Sequence, residues 1–113
     1  MANIFKIDTK SSVSNSGTSN SNATVVTAGA AATLVILSIL ISNKTAASVQ
    51  VDVFVVKNSG DSVFLIKNAP VPGGSSLEII SGSKIILESN DVLRISSNTA
   101  SALDAAVSYL EQT

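Results

Sequence analysis

The chain has 113 residues, 45% of them hydrophobic and 13% charged, with a net charge of −1 at pH 7. Its seven basic residues are scattered singly, so no positive field gathers phosphates and nucleic acid is excluded as a partner class. Cysteine and histidine are absent, which removes disulfides, thiolate and imidazole metal sites, Cys nucleophiles and His-based triads.

The opening MANIFKIDTK has no apolar run after its charges and does not read as a secretory signal. Ile4, Phe5 and Ile7 make IFKI either a short strand or an anchoring arm. Residues 11–22, SSVSNSGTSNSN, are too polar to pack. They are either a loose loop or a tether that lets the first strand reach a neighbouring subunit. The expected division is an arm over residues 1–22 and a β-domain over 23–113, opened by ATVVTAG.

The longest apolar run, AGAAATLVILSILI over residues 28–41, has fourteen residues where a membrane-spanning helix needs about 20. No membrane partner is expected. β-branched Val35, Ile36, Ile39 and Ile41 favour a strand. A strict alternation predicts Val35, Leu37, Ile39 and Ile41 on one face, with Leu34, Ile36 and Leu40 on the other. After the turn signal Asn43-Lys44-Thr45 comes VQVDVFVVK, with Val49, Val51, Val53 and Val55 on one face. Two strands across a short polar connection predict an antiparallel pair. One face belongs to the domain's core. The other, Leu34, Ile36 and Leu40 with Phe54 and Val56, is the expected self-assembly face, since leaving such side chains exposed forgoes about 1.5–3 kcal/mol each.

Further short strands follow at even spacing: VFLIK (63–67), SLEII (76–80), KIILE (84–88) and VLRIS (92–96). The loop 58–62, the Pro70–Gly74 breaker and the turn at 89–91 separate them. Residues 101–112, SALDAAVSYLEQ, fit a helix through Leu103, Ala106, Val107 and Leu110. They fit a strand through Leu103, Ala105, Val107 and Tyr109, which the hairpin-length connection SSNTAS favours. The pattern predicts an all-β, single-domain antiparallel sandwich, jelly-roll-like, of about eight strands.

No chemistry announces itself. Glu78, Glu88, Asp91 and Asp104 sit in or beside strands and turns, where capping and solvation explain them, and nothing makes a pair converge. The 88–91 run offers oxygen ligands without the spacing of a calcium loop. Gly73-Gly74-Ser75-Ser76 has no following Lys or helix to make a phosphate cradle. Asp52 reads as a guard against wrong edge pairing, and Arg94 as a partner for a cross-strand carboxylate. Three Phe, one Tyr and no Trp make a thin platform for sugars.

The segments MANIFKIDTK with its Ser/Thr/Asn tract, LVILSILISNKTAASVQVDVFVV, VFLIKNAPVPGGSSLEIISGSKIILESNDVLRI and SALDAAVSYLE together resemble small virion structural proteins of tailed phages. The likeness is in particular to those of T4-like phages infecting marine cyanobacteria. The matching motifs here are residues 70–78 (Pro-Val-Pro-Gly-Gly-Ser-Ser-Leu-Glu), 83–88 and 91–95. Ser-Gly-Ser-Lys stands where the resemblance implies Gly-Gly-Lys. The resemblance implies a non-enzymatic structural subunit without cofactors, located in the virion and bound to capsid or tail. Low charge beside a high apolar fraction agrees with a surface partly buried against copies of itself, a trimer being the favoured homo-oligomer. A neck, tail or fibre component, or a carbohydrate-binding sandwich, is the alternative.

Overall fold

Period-two patterning becomes nine β-strands in a computed structural model that describes residues 3–13, 23–80, 84–99 and 101–113. They are β1 (Asn3–Lys10), β2 (Thr24–Thr27), β3 (Thr33–Asn43), β4 (Val49–Val56), β5 (Ser62–Val71), β6 (Ser76–Glu78), β7 (Ile85–Leu87), β8 (Val92–Ser97) and β9 (Leu103–Gln112). The described residues contain no α-helix, and the ambiguous C-terminal segment is strand β9.

The antiparallel pairs nest like those of one long hairpin. β4 with β5 is innermost, then β3 with β6 and β7, then β2 with β8, and β1 with β9 is outermost. Rolling this hairpin brings β9 beside β3 and β8 beside β4. The result is two sheets, β1-β9-β3-β6 with β7 also on β3 (sheet A), and β2-β8-β4-β5 (sheet B). This is the jelly-roll form of the β-sandwich. Between the sheets, Leu34, Ile36, Ile39 and Ile41 of β3 and Val107 of β9 are buried with Val51, Val53, Leu93 and Ile95 of sheet B.

Two expected hairpins are instead arches between the sheets. β3 and β4 do not pair, and neither do β8 and β9. Both β3 and β4 have a face that needs the core, and an arch lets each contribute it from opposite sides. Asn43 builds this corner. Its Nδ2 donates to the carbonyls of Ala47 and Val71, and its Oδ1 accepts from the N–H and hydroxyl of Thr45, all at 2.8–2.9 Å. The Pro-Gly-Gly turn packs against the same corner. A β-carbon on Gly73 would lie 2.4 Å from the Ala46 carbonyl oxygen, so only glycine fits there.

A bulge in β3 overturns the expected face assignment. Ile36 faces Tyr109 and Ser38 faces Ser108, leaving Leu37 as the extra residue. Parity therefore switches at Leu37: Leu34 and Ile36 point into the core, and so do Ile39 and Ile41. Both halves of the strand thus turn isoleucines inward. Beside the bulge, where sheet A passes from β7 to β6, the Glu78 carboxylate accepts from the Ser38 hydroxyl (2.9 Å) and the Ile39 N–H (3.3 Å).

The arm assigned to a neighbour is, over Asn3–Lys10, the edge strand of the chain's own sheet A, running in unbroken register along β9. Of residues 11–22, on which the loop-or-tether question falls, the first three are described and do pack: Val13 is fully buried and its N–H donates to the Leu103 carbonyl (2.7 Å), while residues 14–22 lie outside the described residues.

Candidate functional site: the outer face of sheet A

Directly opposed residues of an antiparallel pair project from the same face. Following the register outward from β1 gives Phe5, Leu110, Val35 and Ile86 side by side across β1, β9, β3 and β7. These four form an apolar ridge across the outside of sheet A. Phe5 is 77% exposed and Ile86 48%, while Val35 and Leu110 are half-buried between them. The next row is Ile7, Ser108 and Ser38, and the one beyond it Thr9, Ala106, Leu40 and Glu78. Small Ala106 between Thr9 and Leu40 leaves a shallow depression there, with Lys10 and Ser42 on its rim.

Of the expected self-assembly face, only Leu40 lies on this surface, 40% exposed. Leu34 and Ile36 were misplaced by the assumption of unbroken alternation, which the bulge at Leu37 breaks. Phe54 and Val56 sit on the outside of sheet B, so the five residues are not brought together. Phe54 is moreover fully buried there. It lies opposite Arg94 of β8, and the Phe64 ring of β5 stands 5.2 Å from its own, with Lys67 Nζ 4.6 Å above the Phe64 ring. In the arm, Phe5 and Ile7 belong to the apolar surface, but Ile4 projects from the opposite side with Lys6 and Asp8.

Val35, expected on the face of β3 opposite the assembly face, lies instead on this outer surface, and Leu110 and Ile86 were given no site role from sequence. Their signal was present: Leu110 is a large apolar residue on the Ala106-Ser108 face of β9, and Ile86 is the middle of three consecutive apolar residues, so it must face away from Ile85 and Leu87.

Several polar side chains away from this face hold strands and loops together. Asp91 is buried; its carboxylate accepts from Lys57 Nζ (2.6 Å), Asn58 N–H (2.9 Å) and Glu88 N–H (2.8 Å), and Lys57 also reaches Glu88 (2.9 Å). Lys57 thus neutralises the carboxylates that a calcium reading of residues 88–91 needs. Burial pushes the Asp91 carboxyl up, but these three donors outweigh it and hold its pKa below the ordinary 3.8. Asp104 is likewise lowered, by the Ser12 N–H and the Lys44 ammonium against a smaller effect of burial. Asp52 accepts from the Asn68 N–H of β5 (2.7 Å), and Arg94 Nε donates to the Thr24 hydroxyl (3.1 Å). Burial, then the hydrogen bond its hydroxyl donates to Asp8 (3.0 Å), pushes Tyr109 up to about 12. Among the described residues no group of three acidic side chains converges as a metal site, and no helix is long and apolar enough to cross a membrane.

No protein-family model matches the chain, and no curated protein matches it in sequence.

Proposed function

We propose that the chain is a non-enzymatic structural subunit of a phage virion, an accessory protein that docks on capsid or tail through the outer face of sheet A. The observation that carries this reading is the ridge Phe5–Leu110–Val35–Ile86, which sets apolar side chains from four strands in one line on a solvent-facing sheet. A face that is merely solvated alternates polar residues outward. Contiguous exposed apolar surface of this kind marks interaction sites. Jelly rolls serve widely as viral capsid and lectin domains, so the fold is compatible with the reading without selecting it. The sequence resemblance supplies the address.

The test is co-sedimentation of the purified chain with capsids and tails of the phages whose proteins it resembles. Wild-type chain is expected to pellet with one of them. Leu40→Glu with Ile86→Glu, both at exposed positions, should lower that binding at least tenfold with an unchanged circular dichroism spectrum, because each charge loses hydration on docking. Binding that survives both substitutions overturns the assignment of this face. Glycan binding by a chain that ignores particles overturns the structural reading in favour of a carbohydrate-binding module.

A further inference from the structure

A β-sandwich has four sheet edges, and three of these carry devices that stop a further strand from adding. β2 is only four residues long, with an irregular register against β8. β5 carries Pro70, which has no N–H, a positive φ at Asn68, and register shifts against β4. The β6/β7 edge is two three-residue pieces separated by residues 79–84. β1 is different. It is eight residues long, paired to β9 without a register shift, free of Pro and Gly, and it exposes Ile4 (48%), Phe5 (77%) and Ile7 (60%). Among the described residues, its charged side chains, Lys6, Asp8 and Lys10, are the one feature that could oppose extension.

Those charges alternate in sign, and this decides what the edge accepts. A two-fold axis normal to the sheet keeps each side chain on its own face, so every residue of β1 must oppose one of like parity in the second copy. Centred on Lys6, the pairing sets Lys6 against Lys6. Centred on Asp8, it sets Asp8 against Asp8 and Lys6 against Lys10. Like charges directly opposite are destabilising. Centred on Phe5, it pairs residues 3–7 alone and opposes no unlike charges. Centred on Ile7, it sets Lys6 against Asp8 twice, Ile4 against the aliphatic stem of Lys10, Phe5 against Thr9, and Ile7 against itself. The strand is complementary to its own copy in that register.

We infer that β1 pairs antiparallel with β1 of a second copy of this chain about a two-fold axis at Ile7, so that sheet A runs continuously through both copies. The pairing stands on the edge itself; its purpose rests on the docking reading above. One outer face of four strands by eight residues covers about 500 Å² at strand and residue spacings of about 4.8 and 3.3 Å. A stable contact takes about 800 Å² from each partner. Two faces on the same side of one sheet exceed that, with the Ile7 pair bridging the two apolar ridges. The inferred two-fold pair differs from the trimer expected above as the favoured closed oligomer.

The full chain is cysteine-free, so introduced thiols report the register directly. Ile7→Cys should give a covalent dimer on mild oxidation, because facing residues of an antiparallel pair lie within disulfide range. Phe5→Cys alone should not cross-link, and neither should Thr9→Cys, but a mixture of the two should. No cross-link at Ile7→Cys, or equal cross-linking at all three positions, overturns the pairing. Light scattering should give twice the 11.5 kDa chain mass for the wild type and a monomer for Lys6→Asp. Lys6→Asp with Asp8→Lys should restore the dimer, although both substitutions break contacts within the chain, so a purely structural role predicts no rescue. Ile86→Glu on β7 should abolish particle binding and leave the Ile7→Cys cross-link intact. With Ile86 left intact, an Ile7→Cys chain that does not cross-link but still binds particles refutes the pairing alone, and one that cross-links but binds no particles refutes the docking reading alone.

Discussion

Lys57 at the end of β4, Asn58 in the hairpin loop and Glu88 after β7 all converge on one buried carboxylate, that of Asp91. Asp91→Asn keeps the shape and removes the charge, and is expected to destabilise the fold by about 2 kcal/mol at pH 7, the scale of hydrogen bonds to a charged group. The pH dependence has a definite sign. Asp91 and Asp104 both have pKa values lowered in the folded state, so their contribution is complete above the unfolded value near 3.8 and fades as pH falls through the lowered values. Denaturant melts should therefore show wild-type stability flat from neutrality to about pH 5 and falling below pH 4. In Asp91→Asn the curve should start lower and fall less, and an undiminished acid slope would mean that Asp91 is not the group responsible.

At the scale of elements, strand existence was legible in the sequence and strand partnership was not. Valine alternation in residues 49–55 marks β4 whatever it pairs with. Whether a short polar link makes a hairpin or an arch depends on side chains that turn the corner, here Asn43 and the glycine at 73, and no periodicity reports that. The bulge hid the site in the same way, since a single extra residue exchanges the two faces of a strand. It also makes an unusual prediction. Deleting Leu37 leaves Leu34, Ile36, Ile39 and Ile41 in perfect alternation, so this deletion in the middle of a central strand should fold and lose at most about 2 kcal/mol. Deleting Leu40 sets Ile41 next to Ile39 and drives it out of the core, at a cost of about 1.5–3 kcal/mol for that side chain alone. Thermal melts of the two deletions that coincide would refute the parity argument. The apolar surplus of β3 was legible, and Leu40 with it; that its companions come from β1, β7 and β9 is a property of the register.

At the scale of the molecule, the low charge and the apolar outer face describe one economy. Only 13% of residues are charged, and the ion pairs Lys6–Glu111, Lys44–Asp104 and Lys57–Asp91 each tie together separate strands or loops. Charge is spent on joining segments, and less is left for covering surface. The proposed assembly would cover that apolar face, and the described strands leave three sheet edges short or irregular and the fourth, β1, regular.

The nesting of the strand pairs also sets an order in time. The β4–β5 hairpin closes a loop of a few residues, whereas β1 and β9 are about a hundred residues apart at their matched ends. Loop-closure entropy grows with the logarithm of that separation, so the inner pair can form early and the outer pair is the natural last step. Among the described strands, the one added last pairs with β9 alone and is the first to open. Hydrogen exchange on the unassembled chain should accordingly show the β1 amides that bond to β9 exchanging well before those of β4 and β8, and uniform protection across these strands would refute the sequence of events. With the pairing inferred for β1, folding would finish at the strand that the second copy needs, so that a chain with an incomplete sheet could not yet enter the pair.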